Sequence, residues 1–344
     1  MGVGVSLERL AGAVAACGGM GTISTAMCGF SEPDYETDPR GANLRALDRQ
    51  VRRAKELARG AGMVAVNAMV ATTQYAESVR TALRAGVDAV VCGAGLPRDL
   101  PAIAAQVPES DAALAPVVSS GRSAGILCKL WDRHYHRVPD FVVLEGPLAG
   151  GHLGFSKEEA LAAQAGHPRP LSALLEEVLE SLVPFRAKYG RDIPVFVAGG
   201  VQNGGEMARY MKEGAAGAQF ATRFIATEEC DASDAYKRRL IAARPEEITI
   251  VQSPVGMPGR ALRSPLIQRV EAGLQPPVER CVKCLSVCES KTAPYCISRA
   301  LIAAVRGDWE QGLFFCGAGA GEIHALSTVR AQVEILMKEW RAAQ

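Results

Sequence analysis

Seven short apolar runs recur along the first two thirds of this chain, and each is followed by a helix-like segment. The runs read as strands at Gly21–Thr25, Met63–Val70, Asp88–Gly93, Leu114–Ser119, Asp140–Gly146, Ile193–Gly199 and Gly217–Ala221. They are apolar throughout rather than alternating, as expected of parallel strands covered on both faces. Amphipathic stretches such as Ala42–Arg59, Gln74–Ala85 and Ser123–His134 supply helices between them, and Ser156 with Glu159 has the spacing of a capping box. Such strand–helix repetition predicts an α/β fold built on a parallel sheet.

Seven strands is one short of a (β/α)8 barrel, and the shortfall lies at the start. Met1-Gly2-Val3-Gly4-Val5 leads directly into Ser6, which reads as the N-cap of a helix Leu7–Ala16 and leaves no residues for a strand before it. A seven-stranded doubly wound sheet is the alternative. Glycine-rich turns after several strands favour the barrel, because barrel active sites are built from the loops at those strand ends. The expectation is a TIM barrel over residues 1–227 with its first strand missing. Residues 228–344 hold the loop "SPVGMPGR", the stretch "GLQPPVER", a cysteine cluster and a last helix around Val329–Trp340. They read as a C-terminal helical extension.

Charge and composition exclude some functions. Lys plus Arg number 38 against 37 Asp plus Glu, a net charge of +1, so the chain lacks the basic footprint of a nucleic-acid binder. No apolar stretch has membrane-spanning length, and the N-terminus lacks the order of a signal peptide. Ten cysteines without an export signal point to the reducing cytoplasm, where clustered thiols bind metal more often than they pair.

Three places can carry chemistry. The apolar strand Phe141–Leu144 runs into "EGPLAGGHLGF", a loop nearly free of side chains that presents His152. A histidine there can exchange protons near neutral pH over a bound planar ligand. Gly199-Gly200 and "QFATRF" follow the last two strands, where backbone amides and helix dipoles bind phosphate. Asn67 interrupts the apolar run "MVAVNAMV", so its amide bonds either a neighbouring strand or a ligand edge; Ser119 and Ser120 raise the same two readings. Finally, Cys281, Cys284, Cys288 and Cys296 form C-x2-C-x3-C-x7-C, close enough in sequence to surround one metal centre, and the C-x2-C-x3-C core resembles that of flavin- and cluster-containing barrel reductases of a different family, which implies an iron–sulfur cluster in preference to zinc. The other reading is a group of reduced thiols.

The motifs "LEGPLAGGHLG", "IPVFVAGGVQNGGEMARYMKEGAAGAQFATRFIATEE" and "LAGAVAACGGMGTIS" resemble the nitronate monooxygenase family and the related FMN-dependent enoyl-[acyl carrier protein] reductases. The resemblance covers Met1 to about Thr227, and "SPVGMPGRAL" with the cysteine-rich tail is similar to one bacterial branch. It implies a TIM barrel holding FMN, with phosphate on the amides of Gly199, Gly200 and Val201 and the site completed by Gln219, Ala221 and Thr222. It also implies Asn67, Ser120 and Gly151 beside the flavin and His152 as the catalytic residue. The family's first strand ends in Gly-Gly-Met-Gly and this sequence begins at that methionine. Met1, Gly2 and Val3 therefore correspond to flavin neighbours, and either the start lies upstream or the barrel has an open seam. The family usually has glycine where Ala221 stands. Two activities follow from the resemblance: oxidation of alkyl nitronates with O2 to a carbonyl compound and nitrite, or NAD(P)H-dependent reduction of an enoyl thioester. A flavin-binding protein without turnover is a third reading.

Overall fold

The computed structural model describes residues 2–344 except Gln275 and Glu279. Met1, expected beside the cofactor, lies outside the described residues. The strands are β1 Met20–Ser24, β2 Met63–Met69, β3 Ala89–Gly93, β4 Ala113–Val118, β5 Val142–Glu145, β6 Gly151–His152, β7 Val195–Ala198, β8 Gly217–Gln219, β9 Ile248–Gln252 and β10 Pro258–Leu262. Seven of them form one sheet in the order β1-β2-β3-β4-β5-β7-β8 with parallel pairing throughout. Sequential order without a reversal is that of a curled barrel sheet and excludes the doubly wound alternative, whose order turns back at a switch point. Among the described residues no pairing joins β8 to β1, so the curl stays open along one seam.

Side chains alternate across the sheet. Val64, Val66, Val90, Cys92 and Leu114 belong to an outer core beneath the helices. Ala65, Ala89, Val91, Ala115, Phe141 and Val143 fill the concave side. Small residues dominate the inner face because a closing sheet leaves less room there. Both faces are apolar, as the continuous apolar runs require.

Two local expectations are corrected. Ser6 does not cap the first helix, which spans Glu8–Ala16; its hydroxyl donates to Thr22 O at 2.6 Å. The amides of Leu7, Arg9 and Leu10 instead donate to the carboxylate of Asp231 at 2.7, 3.2 and 3.1 Å. A carboxylate satisfies three donors and complements the helix dipole, which one hydroxyl cannot do. The segment after residue 227 is also not purely helical. It contains the antiparallel hairpin β9–β10, and β10 pairs with β6, Gly259 opposite His152 and Arg260 opposite Gly151. "SPVGMPGR" is the turn and second strand of that hairpin. The last helix, Val329–Ala342, packs near Glu8–Ala16 beside the seam. No helix among the described residues is long and apolar enough to cross a membrane.

Candidate active site

β5 ends at Glu145, and the chain then turns through Gly146–Gly150 before Gly151 and His152 extend as β6. Gly151 has φ +73°, a left-handed conformation that suits glycine. Gly150 meets the opposite backbone so closely that an added Cβ would lie 2.4 Å from Cys316 C. The glycines therefore admit a close backbone approach, and His152 is held half-buried beyond them.

His152 Nε2 and Ser253 Oγ share a hydrogen bond of 2.7 Å, and Val255 N–H donates to the same oxygen at 3.2 Å. Phe315 meets the imidazole edge-on with ring centroids 5.1 Å apart. Desolvation pulls the His152 pKa down to about 4, so the ring is neutral at pH 7. A neutral ring bonded to a buried hydroxyl can accept a proton or hold an anion. An anion beside it would bring its pKa back up. Ser253 carries no local signal in the sequence, since it lies 101 residues from His152 and opens the segment "SPVGMPGR", which reads as a loop.

Glu145 was also missed. Its Oε2 accepts from Gly154 N–H at 3.1 Å, and Ser119 Oγ donates to Gly154 O at 2.6 Å. Desolvation raises the Glu145 pKa to about 7, the Gly154 bond opposing it. Its charge therefore changes near neutrality, at the strand end beside the histidine loop. The folded state holds this proton more tightly than the unfolded chain, so the contribution of Glu145 to stability falls as pH rises from about 4.5 to about 7. His152 acts in the opposite sense, because its lowered pKa makes stability rise between about 4 and 6.5. The two nearly offset each other in the parent. In Glu145→Gln only the histidine part remains, so urea midpoints of the FMN-free variant should climb more steeply than the parent's between pH 4.5 and 6.5. Parallel curves would refute the raised pKa of Glu145.

The second cluster lies at β7 and β8. Gly199 and Gly200 have φ +68° and +130°. Among the described residues the amides of Gly199, Gly200 and Val201 donate to no protein acceptor, whereas those of Gln202, Gly204 and Glu206 are taken by Glu206, Glu339 and Asn203. Three free amides on a glycine turn fit a bound phosphate oxygen. Ala221 has φ −131°, outside the left-handed region that would call for glycine. Thr222 Oγ1 accepts from Gly317 N–H at 2.9 Å and keeps its own proton to donate.

A cavity of ≈ 660 Å³ runs along the seam. Gly151, Gln219 and Thr222 line it near the carboxyl ends of the strands, and Met20, Met63 and Pro194 near their amino ends. Gly2 and Ala221 line it too, while Val3 is buried. Asn67, His152, Gly199, Gly200 and Val201 do not line this cavity. Asn67 stands near the end of β2, half-buried. Ser120 is used structurally, as the N-cap of the helix Gly121–Tyr135, where its hydroxyl accepts from Ser123 N–H at 3.2 Å.

The metal expectation for the cysteines is not supported. Among the described residues no three His, Cys, Asp or Glu side chains converge to hold an ion. Cys281 is exposed and the other three half-buried. Cys284 Sγ accepts from the Ser298 hydroxyl at 2.8 Å. Desolvation raises the Cys284 and Cys288 pKa values, and the neighbouring cysteines push them the same way. The segment instead docks on the loop after β2, where Thr73 N–H donates to Cys284 O and Ser286 N–H to Ala71 O, both at 3.0 Å.

A sequence profile of the nitronate monooxygenase family matches residues 1–339. The chain belongs to the nitronate monooxygenase family. That membership makes it an oxidoreductase by family. Among curated relatives, (3aS,4S,5R,7aS)-5-hydroxy-7a-methyl-1-oxo-octahydro-1H-indene-4-carboxyl-CoA dehydrogenase of Mycobacterium tuberculosis is 32% identical over 134 residues, 39% of this chain and 32% of the relative. The match thus spans about a third of that relative's length. Two solved structures share the fold. FabK from Thermotoga maritima superposes with a TM-score of 0.69 at 24% identity, covering 98% of this chain and 90% of the other. Nitroalkane oxidase from Streptomyces ansochromogenes gives 0.70 at 22%, covering 100% and 94%.

Proposed function

We propose that the chain is an FMN-dependent nitronate monooxygenase that converts alkyl nitronates and O2 into a carbonyl compound and nitrite. The observation that carries this reading is the neutral, half-buried His152 bonded to Ser253 at the end of a glycine loop. A nitronate is an anion, and a neutral imidazole–hydroxyl pair offers it hydrogen bonds without a competing charge. For a neutral nitroalkane, with Nε2–H donating to Ser253, the ring takes the α-proton on Nδ1, and the anion formed beside it stabilises the imidazolium.

The free amides of Gly199, Gly200 and Val201 suit the FMN phosphate, and Asn67 suits the polar edge of the flavin ring. Bound FMN would supply the electron acceptor for the substrate carbon. The protein's own part is to orient the substrate, hold the abstracted proton on the His152 ring and keep the apolar walls dry.

A second reading is NAD(P)H-dependent reduction of an enoyl thioester. It is favoured by the cavity's reach from the loop end to the strand starts, which suits a chain-like apolar group. The carboxyl-CoA dehydrogenase relative supports the thioester part of this reading by its name.

One pair of assays separates the readings. Protein reconstituted with FMN is mixed with an alkyl nitronate in air and nitrite is measured. Separately, NADH or NADPH is added without oxygen and flavin absorbance is followed, then an enoyl thioester is supplied. Stoichiometric nitrite with slow bleaching is expected. Absence of nitrite, together with rapid bleaching reversed by the thioester, would overturn the monooxygenase reading in favour of the reductase.

A further inference from the structure

Arg260 is one of the largest fully buried side chains, 1% exposed, and it lies on the strand paired with the histidine loop. Its Nη1 donates to Pro147 O at 2.9 Å and to Ala149 O at 2.6 Å. Between those carbonyls, Leu148 O accepts from Ala318 N–H at 3.1 Å. All three carbonyls of the turn are therefore held, two of them by one guanidinium. The turn needs such anchors, because Gly146, Gly150 and Gly151 leave its backbone with unusual freedom.

We propose that Arg260 is the positioning residue for His152: its guanidinium locks the Pro147–Ala149 turn and thereby fixes the imidazole against Ser253. The inference rests on His152 being the reacting group. Ser253 and Arg260 belong to one hairpin, Ser253 just after β9 and Arg260 within β10. That hairpin grips the histidine twice, through the side chain by Ser253 and through the preceding backbone by Arg260. The main-chain pairing of Gly259 with His152 and of Arg260 with Gly151 closes the frame.

The choice of residue is informative. Burial works against a cation, and Nη2 has no hydrogen-bond partner among the described residues. An apolar residue would pack there without that penalty, but it would leave the Pro147 and Ala149 carbonyls unsatisfied. Both carbonyls are met by the two N–H bonds of the single nitrogen Nη1, whose directions the rigid guanidinium plane fixes, whereas a lysine ammonium on its flexible stem fixes neither. The arrangement is therefore costly for stability alone and useful for aim.

The test is a double-mutant cycle in the full chain with FMN bound. Arg260→Lys and Arg260→Met should retain FMN and lower kcat roughly tenfold to a hundredfold, with KM changing far less. Guanidinium ion should restore part of the activity of Arg260→Ala. In a His152→Ala background, Arg260→Lys should cost little further, since there is no imidazole left to aim. A purely structural arginine would lower activity equally in both backgrounds, and that result would overturn the proposal. Arg260→Lys with parental kcat would overturn it as well. If the Met and Ala variants fail to fold, the Lys variant in the two backgrounds still decides. His152→Ala with undiminished turnover would instead remove the reading of His152 on which the proposal stands, so the two failures are distinguishable.

Discussion

Replacing His152 with alanine should lower turnover by roughly two to four powers of ten while leaving fold and flavin content nearly unchanged. Among the described residues the side chain's polar contact is the one bond to Ser253, and its ring packs edge-on against Phe315. The loss should be larger on a neutral nitroalkane than on the preformed nitronate, because only the nitroalkane must surrender a proton. At pH 7 the parent ring is already neutral, with its pKa near 4, so the proton acceptor is present without prior deprotonation. Steady-state rates on both substrates, with thermal unfolding as a control, provide the check. Equal rates for parent and variant on nitroalkane, nitronate and enoyl thioester would leave His152 without a chemical role.

The barrel sheet was legible because its signal is local. Val64, Ala65, Val66 and Ala68 sit consecutively or nearly so in the chain, all fully buried, and a parallel strand covered on both faces leaves that unbroken apolar trace. Helix starts were legible where the cap is a neighbour, as in the reciprocal bonds of Ser156 and Glu159. They failed where the cap is distant: Asp231 reaches Leu7, Arg9 and Leu10 from more than two hundred residues away. The same distance hid half of the candidate site. His152 announced itself through its glycines, but its partner Ser253 and its anchor Arg260 lie in "ITIVQSPVGMPGRAL", where the strands are five residues each and Pro and Gly suggest a plain loop. Their partner β6 is two residues long and has no periodicity to read. For the cysteines the sequence left two readings open. Their spacing is compatible with a metal, but spacing does not specify where the sulfur atoms point, and a hydroxyl from Ser298 meets Cys284 instead.

Placing a carboxylate at Gly200 should abolish most FMN binding. Two effects have to be separated. Gly200 has φ +130°, a region that side chains rarely adopt, so any substitution carries strain on the order of 1–3 kcal/mol. Space itself is not the problem, since an added Cβ would meet Leu148 Cβ at an ordinary 3.7 Å. Gly200→Asn carries the strain without the charge, and Gly200→Asp carries both. The two variants should unfold at similar temperatures when free of FMN. Their affinities for FMN should differ by at least about tenfold, or about 1.4 kcal/mol, because the aspartate faces the phosphate as a like charge across amides that otherwise favour it. Flavin fluorescence titration of both variants against the parent measures this difference. Equal affinities for the two would move the phosphate away from the free amides of Gly199, Gly200 and Val201. A deficit confined to the aspartate would place negative charge on the ligand at that turn, independently of any turnover assay.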